Sequence, residues 1–106
     1  ARIEELTKKL EQQRQKYACT EIKEDLARGM ENEQVKCLQQ FLKTQEKEIY
    51  PEGLVTGYFG PLTRQAVIRF QEQHQQQILA PWDLQKGTGY VGRTTKKQIN
   101  KMISNR

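Results

Sequence analysis

The chain has 106 residues and a mass of 12.5 kDa, with 35% hydrophobic and 29% charged residues. This length suits one small domain and leaves little room for two independent hydrophobic cores. A mean hydropathy of -0.92 and the lack of an apolar run of about 18 residues argue against a membrane-spanning helix. Ala1 opens a polar stretch without the apolar segment of a signal peptide, so export would require a signal upstream.

The net charge of +5 is unevenly distributed along the chain. Residues 1–32 are neutral overall, residues 33–52 carry one net negative charge, and residues 53–106 carry six net positive charges. A basic face favours an anionic partner such as a wall polymer, a nucleic acid or lipid headgroups. The alternative is a solvated helix face that keeps the protein soluble. The basic residues concerned are mostly Arg93, Lys96, Lys97, Lys101 and Arg106.

Residues 1–18 are predicted to form a polar helix that precedes a globular domain at residues 19–106. Two to three heptads give only a weak coiled coil, and an isolated helix of this length is marginal in water. The segment therefore predicts either the end of a longer stalk or a helix that packs on a neighbour. Its narrow apolar stripe consists of Ile3, Leu6, Leu10 and Tyr17.

Three amphipathic helices are predicted after a connector at residues 20–32. Asn32 suits the N-cap of the first helix, Pro61 opens the second, and the third follows Gly92. Loops at residues 45–60 and 78–92 separate them, and the glutamines of residues 71–77 indicate a polar helix end rather than a core. The three apolar faces are Val35, Leu38, Phe41 and Leu42; Leu62, Ala66, Val67 and Phe70; and Thr95, Ile99, Met102 and Ile103.

An internal repeat is the sharpest feature of the sequence. The segment TGYFGPLT at residues 56–63 recurs 32 residues later as TGYVGRTT at residues 88–95, with five of eight positions identical. In each copy the first glycine permits a tight turn, and the tyrosine and the following apolar residue point in opposite directions. Each copy is expected to lead into a helix. The alternative is that the two segments serve folding alone.

Three motifs of this chain resemble the peptidoglycan-binding domain family. Residues 29–42 are similar to its opening motif, residues 57–71 to its central G-x-F-G-x-x-T signature, and residues 89–95 to its closing G-x-V-G-x-x-T. The similarity spans about residues 24–103. It implies an all-α fold, a compact three-helix bundle, that binds bacterial cell-wall peptidoglycan, commonly beside a wall hydrolase. The chain departs from the pattern at Thr56 and Thr88, where the family usually has Asp, and at Asn32, where it has Gly.

No catalytic constellation is visible in the sequence. His74 is the only histidine and lies in a glutamine-rich tract, where a solvated side chain is expected. Cys19, Cys37 and His74 do not have zinc-ligand spacing, and Ser104 is the only serine. We therefore expect a protein that is not an enzyme, without a metal or another cofactor.

Cys19 and Cys37 are 18 residues apart. The alternative to a disulfide is two separate buried thiols in a cytosolic protein. The resemblance implies an oxidising compartment, either extracellular or in the bacterial cell envelope, and this favours the bridge. A loop of this size would contribute roughly 3 kcal/mol to stability.

Site residues are expected from the chemistry of a wall ligand, which offers flat sugar faces, hydroxyls, amides and carboxylates. The repeats would bring Tyr58, Tyr90 and Arg93 to one end of the bundle, near Arg64. Half-buried structural tyrosines are an equally good interpretation of the two repeat positions. The loop at residues 78–92 would contribute one wall of a groove through Trp82 and Asp83. The alternative for Trp82 is a side chain that anchors this loop by packing on the bundle.

The sequence thus favours non-catalytic attachment to peptidoglycan that tethers a larger exported protein. An alternative is a structural or assembly module that packs against protein partners or self-associates through residues 1–18. Binding of nucleic acid through the basic last helix ranks below both.

Overall fold

The computed structural model describes residues 20–105. The described chain contains four α-helices, which we number α1 (Glu33–Lys43), α2 (Pro61–Gln73), α3 (Gln75–Ile78) and α4 (Arg93–Ser104). A single 3-10 turn, Ala80–Trp82, follows α3. The predicted all-α, three-helix architecture is confirmed, with α1, α2 and α4 as the three long helices. The predicted helix at residues 1–18, its apolar stripe and its role in self-association lie outside the described residues.

The predicted helix faces supply most of the core. Asn32 caps α1, since its side-chain oxygen accepts a 3.0 Å hydrogen bond from the Val35 amide. Phe41 of α1 meets Phe70 of α2 edge to face, with ring centroids 5.4 Å apart. Buried side chains from the predicted faces are Val35, Leu38, Phe41, Leu42, Ala66, Val67, Phe70, Thr95, Ile99 and Ile103.

Two residues of the predicted faces are less buried than expected. Leu62 is 44% exposed, so its assignment to the core is wrong. The inward face of α2 starts one residue later, at Thr63, and continues to Ala66 at helical spacing. Met102 is only half-buried and packs against the edge of the core.

Segments outside the long helices also contribute to the core. Ile22 and Leu26 of the connector are buried, as are Ile49 and Tyr50 of the first loop. Periodicity could not identify these residues because each segment is too short to show a helical or strand repeat. The predicted loop at residues 78–92 also contains regular structure. It begins at the last residue of α3 and includes the 3-10 turn.

The connector joins the two repeat copies at one end of the bundle. Leu26 and Val91 exchange backbone hydrogen bonds of 3.1 and 2.8 Å. A few residues later, the Gly29 amide donates to the Phe59 carbonyl and the Phe59 amide donates to the Met30 carbonyl, both at 2.8 Å. Because one short segment pairs with both copies, the copies lie at the same end of the molecule, as expected. Each copy leads into a long helix.

The glutamine-rich tract at residues 71–77 was expected to be a polar helix end outside the core, but part of it is buried. Gln71 is 1% exposed and belongs to the interior. His74 was expected to be solvated, but its ring is half-buried with its centroid 4.6 Å from that of Phe70. This burial lowers the pKa of His74. None of the helices between residues 20 and 105 has both the length and the apolar surface needed to cross a bilayer.

Candidate functional site

A buried glutamine holds the first repeat copy in place. The Gln39 side-chain oxygen accepts hydrogen bonds from the Thr56 and Gly57 amides at 2.9 and 2.8 Å. Its nitrogen donates to the Tyr58 carbonyl at 2.9 Å and to the Thr63 hydroxyl at 3.0 Å. One side chain of α1 therefore binds the loop on both sides of its turn and also the first turn of α2.

A second buried glutamine repeats this arrangement in the second copy. The Gln71 oxygen accepts from the Thr88 and Gly89 amides at 2.8 and 3.0 Å. Its nitrogen donates to the Tyr90 carbonyl at 2.7 Å and to the Thr95 hydroxyl at 3.1 Å. Buried polar groups with complete hydrogen bonding make a loop conformation specific. We call each of these arrangements a glutamine clasp.

The two clasp glutamines are recognisable in the sequence by their spacing, although the repeat as first defined does not include them. Gln39 and Gln71 are themselves 32 residues apart, and each follows a buried apolar residue, Leu38 or Phe70. Extending the repeat backwards into the preceding helices therefore identifies the two glutamines as equivalent positions. A polar residue repeated on a buried helix face predicts a hydrogen-bonding role.

The two threonines at the positions where the resemblance implies Asp each form a turn hydrogen bond. Thr56 and Thr88 each accept a 3.1 Å hydrogen bond through the side-chain oxygen from the amide two residues later. The residue between the two partners is a glycine with positive φ, 86° at Gly57 and 79° at Gly89. The turn of each copy is therefore preserved with Thr at this position.

Each copy turns its tyrosine outward and its next residue inward, as predicted. Tyr58 is 46% exposed and Tyr90 is 47% exposed, whereas Phe59 and Val91 are fully buried. The Tyr90 ring lies against Gly92, where an added Cβ would be only 2.9 Å from a ring carbon. The glycine before each helix thus gives the tyrosine ring room to lie on the backbone.

A groove of about 460 Å³ lies beside the second copy. The connector contributes Asp25, the segment around the 3-10 turn contributes Trp82 and Leu84, and α4 begins at one side with Arg93. Its floor includes buried Ile78 and Leu79. An apolar floor with a few convergent polar groups is typical of small-ligand sites, and the volume lies within their usual range.

Trp82 is both anchored and available. Its indole nitrogen donates a 2.9 Å hydrogen bond to the Thr94 hydroxyl, which donates in turn to the Ile78 carbonyl at 2.7 Å. The side chain nevertheless remains 55% exposed. The two interpretations of this residue, a loop anchor and a groove wall, are therefore compatible. An exposed ring with a fixed orientation loses little entropy when a ligand stacks on it.

A charged network fixes Tyr90 at the rim of the groove. The Tyr90 hydroxyl donates a 2.7 Å hydrogen bond to Asp25, and Lys96 forms a 2.6 Å ion pair with the same carboxylate. The hydrogen bond from Lys96, followed by that from Tyr90, lowers the pKa of the Asp25 carboxyl below its ordinary value. The hydrogen bond to Asp25 raises the pKa of the Tyr90 phenol.

The structure brings together three of the six predicted site residues. Tyr90, Trp82 and Arg93 line the groove. The Arg64 side chain lies against Gly89, where an added Cβ would be 2.7 Å from its Cγ, and so packs on the turn of the second copy. Tyr58 and Asp83 do not line this groove. Contact of any of these residues with a ligand stays a prediction.

The predicted partner of Cys37, Cys19, lies outside the described residues. Cys37 is half-buried on α1, and its sulfur is 3.8 Å from the carbonyl oxygen of Glu21. This places α1 beside the connector only two residues after Cys19. The Cys19–Cys37 bridge stays a prediction that this proximity supports.

Comparison with known proteins agrees with the motifs. The family model described as "Putative peptidoglycan binding domain" matches residues 31–99, more than half of the chain. The matched range contains both clasps and most of the groove, whereas Asp25 and Leu26 precede it. No curated protein and no solved structure matches the chain.

Proposed function

This chain belongs to the peptidoglycan-binding domain family, and we propose on that premise that it holds cell-wall glycan in the groove beside Tyr90 and Trp82. The observation that carries the proposal is the pair of exposed aromatic rings, each fixed by a hydrogen bond to a neighbouring side chain. Association with the cell wall follows from the family. The position of the site in the second copy is our proposal.

The chemistry of the groove suits an amino sugar. The C–H face of a sugar ring is apolar and packs against an aromatic face, so Trp82 supplies a platform. Asp25 accepts hydrogen bonds from hydroxyls or from N-acetyl amides at the rim. Arg93 offers several N–H donors to carbonyl or carboxylate oxygens. Binding by a few such contacts is expected to be weak.

We propose that the role is attachment without cleavage. The chain would then tether a larger exported protein to the envelope, and several modules on one protein would strengthen a weak individual contact through effective concentration. The family's character as a binding domain supports this role. Export and the identity of the tethered protein are parts of the proposal.

Retention on purified sacculi tests the proposal. The full chain is co-sedimented with sacculi as wild type and as the Trp82→Ala and Tyr90→Ala variants, with the bound fraction measured over a range of sacculus concentrations. Tyr58→Ala is the matched control, because Tyr58 occupies the same place in the first copy and has nearly the same exposure. We expect the first two variants to bind about tenfold more weakly and the control to bind like wild type. Equal retention of all four proteins would refute the site, and no retention of wild type would refute the function.

A further inference from the structure

A second depression adjoins the groove and shares part of its lining. It has a volume of about 330 Å³ and shares Trp82, Arg93 and Thr94 with the groove. Gln77, Pro81 and Lys97 line the rest of it. The two cavities are therefore adjacent, and Trp82 and Arg93 border both of them.

The second depression is cationic. Arg93 and Lys97 are one helical turn apart on α4, and both are exposed. Neither forms an ion pair with a carboxylate in residues 20–105, in contrast to Lys96 nearby, which pairs with Asp25. No acidic side chain from the described range lines this depression. Two unpaired cations beside an aromatic wall leave a local excess of positive charge for a ligand to neutralise.

Comparison of the two copies shows that a glutamine clasp forms without these residue types at the equivalent positions. Thirty-two positions earlier, Pro61 stands for Arg93 and Gln65 for Lys97. The counterpart of exposed Trp82 is Tyr50, which is only 5% exposed. The first copy nevertheless builds the same glutamine clasp and leads into a helix in the same way. The cationic pair and the exposed indole are therefore not among the features that the two copies share, and they occur together in the second copy.

We propose that this depression is an anion subsite that receives a carboxylate of the peptide stem of the same wall ligand. The inference rests on the proposed function, since the sugar attached to that peptide would occupy the adjoining groove. The Arg93 guanidinium can pair with both oxygens of a carboxylate, and Lys97 adds a point charge. The positive end of the α4 dipole favours an anion at the same place. The sugar thus provides the stacking contact and the peptide provides the charged contact.

Amidation of the ligand separates charge recognition from sugar recognition. A soluble disaccharide-peptide with free stem carboxylates is titrated into the full chain by calorimetry, and the same compound is then tested with those carboxylates amidated. We expect amidation to weaken binding to wild type about tenfold at low salt, and the difference to shrink as salt screens the charges. Equal affinity for the two compounds would overturn the subsite while leaving wall binding intact. Failure of both compounds and of sacculi to bind would instead refute the proposed function and the subsite with it.

Charge-neutral variants locate the effect. Lys97→Gln and Arg93→Gln should each bind the free acid roughly three- to fivefold more weakly, and Lys97→Gln should bind the amidated compound like wild type. The double variant Arg28→Gln/Lys101→Gln removes two charges from exposed positions outside both depressions and should retain the wild-type preference. An equal loss in this control would show a general charge effect and contradict a local site.

Sacculi stripped of phosphate-containing polymers provide a last comparison. Loss of binding to these sacculi would show that the two cations bind phosphate, and this would overturn the carboxylate subsite.

Discussion

At the scale of single residues, the two buried glutamines hold the loop of each repeat copy in its conformation. Each glutamine side chain forms hydrogen bonds with two backbone amides, one backbone carbonyl and two threonine hydroxyls. The groups that it satisfies are the polar atoms that a tight, glycine-bracketed turn would otherwise leave unpaired. Without that amide, the turn would bury polar atoms without partners, which is energetically costly.

Replacement of Gln71 by leucine tests this role. The variant Gln71→Leu keeps a similar volume but leaves the Thr88 and Gly89 amides without their acceptor and removes the 2.7 Å hydrogen bond to the Tyr90 carbonyl. We expect a loss of about 2–4 kcal/mol in the free energy of unfolding, measured by urea denaturation. Gln73→Leu, at an exposed position of the same helix, is the control and should change stability little. Equal stability of both variants would contradict the role of the clasp.

The Asp25 network predicts a response to acid. Because the folded-state pKa of Asp25 lies below its ordinary value of 3.8, the network's contribution is fully present above that value. It is lost as pH falls through the lowered folded-state pKa. An NMR titration of the Asp25 carboxyl should therefore give a midpoint below 3.8, and Tyr90→Phe and Lys96→Gln should each raise it. A midpoint unaffected by either variant would mean that the network does not persist in solution.

At the scale of elements, the connector acts as part of the domain although it mostly precedes the matched family range. Leu26 is fully buried and pairs with Val91, and Gly29 and Met30 pair with Phe59. These pairings link the starts of α2 and α4 through a third segment. Two helix starts separated by 32 residues are thereby kept side by side.

Truncation of Leu26 should therefore be costly. Leu26→Ala is expected to destabilise the fold by about 2–5 kcal/mol, since the cavity lies between the connector and the second copy. Thermal unfolding followed by circular dichroism measures the change, with Lys23→Ala at an exposed position of the connector as the control. A melting temperature for Leu26→Ala within about a degree of the control would show that the connector is dispensable.

A disulfide between Cys19 and Cys37 would fasten the connector to α1. The expected contribution is roughly 3 kcal/mol, so reductant should lower the melting temperature of wild type by several degrees. Cys19→Ser should start lower and should not respond to reductant. Intact mass of protein purified without reductant checks the bond directly, and two free thiols would contradict it.

The features of this fold that are predictable from sequence are those with a local and regular pattern. The helical faces and the opposed directions of Tyr90 and Val91 follow from period and alternation along a few residues. The groove does not, because Asp25 reaches Tyr90 from 65 positions away and only the folded connector brings them together. The burial of Tyr50 could not be predicted either, since it lies in a loop whose apolar residues show no helical or strand periodicity.

At the scale of the whole molecule, the two copies of the repeat share their fold but differ in the surface around them. Both copies share the clasp, the positive-φ glycine and the outward tyrosine, and both meet the same connector. Only around the second copy do the described residues combine an exposed tryptophan with a groove and two unpaired cations. The molecule is therefore expected to bind one ligand, with Tyr58 marking an equivalent surface that lacks these features.

The most direct test follows the single tryptophan of the chain during ligand binding. In a ¹⁵N NMR titration with a soluble disaccharide-peptide, the indole N–H of Trp82 gives one resolved signal from the proposed platform itself. We expect saturable shifts of this signal and of the Tyr90 and Thr94 amides, with little change around Tyr58. Shifts confined to the first copy, or an unchanged Trp82 signal while the ligand binds, would contradict the proposed site.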